Sequence, residues 1–171
     1  MGRPDFHLDS AWSAWRTEQL RLAGLWPQGK LARDNLAIQF KGIDVVGDPS
    51  YEIKIVRWKG RHYTAMTLEE LSNVETGRPG WMFTSTADVL DYLMETQTRS
   101  MRQQRFIFPP LRRWWTDHYK EFPISDTNNP PTLDRPVGFT TRCRVVSLDA
   151  IPDECWLLRD HMVVLEEDPT P

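Results

Sequence analysis

Between residues 42 and 56 the chain reads Gly-Ile-Asp-Val-Val, then Gly-Asp-Pro-Ser, then Tyr-Glu-Ile-Lys-Ile-Val. Two β-branched runs separated by four residues of turn chemistry predict a hairpin, because glycine, aspartate, proline and serine each favour turn backbone. Side chains alternate across a strand. Glu52, Lys54 and Val56 therefore share one face, and Tyr51, Ile53 and Ile55 share the other. In the first strand Asp44 and Val46 oppose Ile43 and Val45. A tight turn at 47–50 makes the strands antiparallel neighbours and brings Asp44 beside Glu52 and Lys54. Charges set into a run that is otherwise apolar need partners or a chemical task.

Two carboxylates and a lysine define such a task. Asp44 and Glu52 are hard oxygen donors suited to Mg²⁺ or Mn²⁺. A cation there would polarise a phosphate and lower the pKa of a bound water. Lys54 would stabilise developing charge or orient the water. The bland alternative is a solvated hairpin, since charged pairs also blunt exposed strand edges.

Along the rest of the chain, apolar Trp12, Trp15 and Leu22 predict a helix over 11–23. A strand is expected over 63–74, a turn at 77–80 and a short buried strand at 81–83. Val89, Leu90, Leu93 and Met94 predict a helix over 87–95, after a Ser85 or Thr86 cap. A strand at 105–108 leads into a helix through 119, opened by Pro109 and Pro110. Residues 122–137 read as a proline-rich loop, and strands are expected at 139–148 and 161–165. The expected fold is α/β, with a mixed central β-sheet flanked by helices. One domain covers 1–165, and 166–171 form a disordered tail.

The residues Gly42-Ile43-Asp44, Glu52 and Lys54 resemble the PD-(D/E)xK nuclease superfamily, whose pattern is an acid at the start of a hairpin and then acid, any residue, lysine. The chain is most similar to small nuclease-like proteins of phage and bacteria. The residues carrying that similarity are Gln39, the three motif positions, Glu69 with Ser72-Asn73, and Gly80-Trp81. The likeness covers about residues 11–118. Ile43 stands where a proline often precedes the first acid. The resemblance implies a restriction-endonuclease-like core and hydrolysis of phosphodiester bonds in nucleic acid, with DNA the expected substrate. It also implies a metal shell of Asp44 and Glu52 extended by Glu18 or Glu69. Gln39 would orient the lysine or a phosphate; the alternative, and the default for such a residue, is a polar loop position. Many such nucleases pair two sites, so a homodimer is one option.

Composition tempers this reading. The net charge is −3, from 21 basic and 24 acidic residues, which does not advertise a nucleic-acid binder. The basic residues cluster, however, and Arg112 and Arg113 beside Trp114 and Trp115 could grip a phosphate backbone. The alternative is an amphipathic helix with solvated arginines and core tryptophans. Eight tryptophans point mainly to core and groove positions. Cys143 and Cys155 form no metal-like pair, and the histidines lack zinc spacing. No nucleotide-binding GxxxxGK or GxSxG motif occurs. No apolar run approaches the ~20 residues of a membrane helix, and the opening residues lack a secretory signal, so a cytoplasmic protein is expected. The rival functions are a non-catalytic nucleic-acid-binding module on the same fold and a protein-interaction factor.

Overall fold

The computed structural model describes residues 30–31, 44–56, 64–96, 100–133 and 136–163. The predicted helix over 11–23, Glu18, Gln39 and the tail at 166–171 lie outside the described residues.

The hairpin forms where the sequence places it. Strand β2 (Val45–Val46) pairs antiparallel with β3 (Tyr51–Val56), and a short β1 (Lys30–Leu31) pairs antiparallel with β2. On its other side β3 runs parallel to β6 (Val89–Glu95), which pairs antiparallel with β7 (Met101–Ile107), and β7 with β10 (Trp156–Val163). The first sheet is thus mixed, with order β1-β2-β3-β6-β7-β10. A parallel pair cannot be closed by a tight turn and needs a crossover. Here the crossover carries β4 (Ala65–Asn73), β5 (Arg78–Pro79) and a one-turn helix, α1 (Trp81–Thr84).

Strand β4 belongs to a second, antiparallel sheet of order β5-β4-β9-β8, completed by β8 (Ile124–Asn129) and β9 (Phe139–Ser147). Helix α2 (Phe108–His118) follows β7 directly, with prolines in its first turn. The fold is mixed α/β with two sheets and few helices among the described residues.

Neighbours in register share a face of a sheet. Glu52, Lys54 and Val56 are in register with Leu90, Tyr92 and Met94, and Leu90 and Tyr92 with Phe106 and Gln104. On this face Leu90, Tyr92, Met94 and Phe106 pack with Met66, Leu68 and Val146 of the second sheet and with Phe108, Leu111 and Trp115 of α2. The main core lies between these layers, and the candidate site sits on its margin. Each fully buried aliphatic or aromatic side chain stabilises the packing by about 1.5–3 kcal/mol.

Three expectations change. Residues 89–95 form a central strand, not a helix. Val89 to Met94 are all buried, and an apolar run covered on both faces loses the alternation that distinguishes strand from helix. Residues 81–84 form one helical turn rather than a strand, closed by the Ser85 N–H donating to the Trp81 carbonyl. Residues 124–129 are a strand within the expected loop. β8 is a polar, largely exposed strand at the end of its sheet, so apolar periodicity gives no signal there.

Candidate functional site

Asp44 precedes β2, and its backbone N–H donates to the Tyr51 carbonyl at 2.8 Å. Its Oδ2 accepts from the Ile53 N–H at 2.8 Å, which holds the carboxylate against β3. Glu52 is 2% exposed. Lys54 pairs with Glu52 Oε1, two residues along the same face. Ser85, fully buried just after α1, brings its hydroxyl to 3.5 Å from Glu52 Oε2. The Lys54 ammonium also lies 5.0 Å from the centroid of the Trp81 ring, a distance at which the ring quadrupole attracts a cation.

Burial pushes the Glu52 carboxyl up from its ordinary range to about 7; Lys54 opposes the rise, and the Asp44 charge adds to it. Desolvation and a like charge both disfavour the ionised form. The site therefore couples two carboxylates and one ammonium, with a buried acid poised near neutrality.

Glu69 borders a register shift in β4 that ends at Leu71, Glu70 lies within it, and the two acids turn to different partners. Glu70 pairs with Arg144 Nε at 2.6 Å. Glu69 Oε1 accepts from the Trp81 N–H at 3.1 Å, at the start of α1. Arg112 reaches back from α2 and donates to the Ser85 carbonyl and, at 3.2 Å, to the Phe83 carbonyl. Arg113 is exposed and lines an open groove of about 440 Å³ with Pro109, Arg112, Thr116 and Asp117. The arginine cluster is divided: Arg112 stands on the site's side of the first sheet, and Arg105 reaches Asp91 on the opposite face.

The structure pairs Lys54 with Glu52 and sets the Asp44 charge near enough to act on Glu52. Sequence reasoning missed Ser85 as a neighbour of Glu52. Trp81 entered the sequence reading through the Gly80-Trp81 pair and the expected strand at 81–83, not as a neighbour of Lys54. That glycine has a physical reason: a Cβ at Gly80 would collide with the backbone of Glu69.

Among the described residues no cluster of three or more His, Cys, Asp or Glu side chains is arranged around a common point. The donor set nevertheless fits a hard divalent cation. Mg²⁺ is commonly bound by one or two carboxylates, with waters and substrate phosphate oxygens completing its shell. The charge of Asp44 raises Glu52, a repulsion that a cation between them would relieve. No protein-family model, curated protein or solved structure matches the chain. No helix among the described residues is long and apolar enough to cross a membrane.

Proposed function

We propose that this chain is a metal-dependent nuclease that hydrolyses phosphodiester bonds, with DNA as its substrate. One observation carries the reading: Glu52 is buried, paired with Lys54 on its own face of β3, and within electrostatic reach of Asp44. The chain order of β1, β2 and β3 as successive antiparallel strands, with β6 beside β3, supports a restriction-endonuclease-like core. Among the described residues the crossover departs from that pattern, carrying β4 and β5 with one turn of helix.

Asp44 and Glu52 would hold Mg²⁺ or Mn²⁺, which supplies Lewis-acid polarisation of the phosphate and a water of lowered pKa. Lys54 contributes a fixed positive charge where negative charge grows on the phosphate, or orients the attacking water. The water oxygen bonds to phosphorus, the ester P–O bond breaks, and the departing oxygen takes up a proton. Glu52 is kept from competing water by burial, and its ionisation near neutral pH is matched to cation binding. A second reading, a nucleic-acid-binding module without catalysis, is favoured by the direct Lys54–Glu52 pair, in which each group already has an opposite charge.

Incubation with plasmid, single-stranded DNA and RNA, with Mg²⁺ or Mn²⁺ and then with chelator, separates the two. Metal-dependent cleavage is expected. Binding without cleavage under every condition selects the second reading.

A further inference from the structure

We propose that Glu69 and Arg112 are positioning residues that hold the segment 80–85 against the Lys54–Glu52 pair, rather than a metal ligand and a phosphate grip. The inference rests on reading Asp44 and Glu52 as the metal site.

The segment needs external support. Helix α1 has four residues, too few to be stable alone, because a short helix never recovers its nucleation cost. Yet two of its neighbours' contacts define the site: the Trp81 ring lies beside the Lys54 ammonium, and the Ser85 hydroxyl lies beside Glu52. Each end of the segment is fixed by a charged side chain from another element. At the start, the Gly80 N–H donates to the Glu70 carbonyl at 2.8 Å and the Trp81 N–H donates to Glu69 Oε1. The missing Cβ of Gly80 is what lets the backbone approach Glu69 so closely. At the end, Arg112 forks onto the Phe83 and Ser85 carbonyls, groups that a helix C-terminus leaves without intrahelical donors. Its guanidinium also lies 5.9 Å from the Phe108 ring centroid. A planar guanidinium spans two carbonyls where an ammonium offers only a point charge.

Thus the Glu69 carboxylate and the Arg112 guanidinium are both directed at the backbone of segment 80–85. Through Trp81 and Ser85 they set where Lys54 and Glu52 stand. Groups that orient metal ligands in this manner typically alter metal affinity or activity about 10–100-fold when removed.

Mn²⁺ titration calorimetry and steady-state DNA cleavage on the full chain test this with Glu69→Ala, Glu69→Gln, Arg112→Ala and Arg112→Lys. Glu69→Ala and Arg112→Ala should each weaken Mn²⁺ binding and lower kcat about 10–100-fold, with the KM for DNA and its salt dependence unchanged. Glu69→Gln keeps the accepting oxygen and should recover most of the loss, whereas Arg112→Lys should not. The proposal is overturned if Glu69→Gln is as damaging as Glu69→Ala, the behaviour of a metal ligand. It is also overturned if Arg112→Ala raises KM and flattens the salt dependence at constant kcat, the behaviour of a phosphate contact. Folded variants identical to the parent overturn it as well. If Arg112→Ala fails to fold by circular dichroism, the Glu69 pair decides. A parent that binds no Mn²⁺ defeats the metal-site reading itself; a parent that binds it, with variants unchanged, defeats this inference alone.

Discussion

Two buried carboxylates lie on adjacent strands of the first sheet and face opposite ways. Glu52 on β3 faces the layer of α2 and the second sheet, and Asp91 on β6 faces away from it. Both are at most 2% exposed, and burial raises the pKa of both. Their partners differ. Asp91 accepts from Gln103 Nε2 at 3.0 Å on each oxygen and from Arg105 Nε at 3.1 Å. Glu52 has the Lys54 ammonium, a long Ser85 contact and the repulsion of Asp44. Burial alone therefore does not mark a site for chemistry. A buried acid pressed by a like charge and held by a point-charge partner is a different object from one enclosed by a fork of donors.

The largest expected difference is in cleavage. Asp44→Asn or Glu52→Ala should reduce the rate at least about 10³-fold, the scale of losing a group that organises transition-state charge, whereas Asp91→Asn should leave a folded, cutting enzyme. Rate constants for plasmid nicking by the three variants measure this. Equal losses in all three would dissolve the distinction.

Stability should reverse the order. Asp91→Ala leaves Arg105 without its buried partner and should cost about 3 kcal/mol, the lower end for breaking a buried pair because Arg105 is 24% exposed. A urea melt reads it directly, and a change below about 1 kcal/mol would mean the pair is not a structural anchor.

Glu52→Gln should stabilise the protein, in a pH-dependent way. Between 4.5 and about 7 the unfolded carboxyl is ionised while the folded one is protonated. Folding then takes up a proton, so stability falls as pH rises through this window and levels above it. The full shift, in which the Lys54 attraction is already counted, corresponds to about 3 kcal/mol, and this is the gain expected of the neutral amide above the window. The variant should melt higher than the parent at pH 8 and match it near pH 4. A constant difference across that range would show that Glu52 is not held near neutrality.

The unequal legibility of the fold follows from where its information lies. The hairpin is local: alternation and a four-residue turn suffice to pair its strands and to set Glu52 and Lys54 on one face. β6 shows no alternation because both its faces are buried, and β8 shows no apolar pattern because it is polar and largely exposed. The second sheet depends on pairing Ala65 with Ser147 and Leu68 with Arg144, partners too distant in the chain for any window to relate. The site divides in the same way. Its three charged residues come from one supersecondary unit, but Ser85 reaches Glu52 across 33 positions. Arg112 reaches Ser85 across 27, so its role as a clamp is a tertiary fact, while its place in a basic-aromatic run invites a nucleic-acid reading.

The most direct measurement is a calorimetric titration of Mn²⁺ into the parent, Asp44→Asn and Asp91→Asn at pH 6 and pH 8. The cation must displace the proton from Glu52. One site is therefore predicted in the parent, tightening about tenfold from pH 6 to pH 8, as competition with a group of pKa about 7 requires. That site should be lost in Asp44→Asn and kept in Asp91→Asn. No binding in the parent, or equal binding in all three proteins, would contradict the assignment of Asp44 and Glu52 as a metal centre.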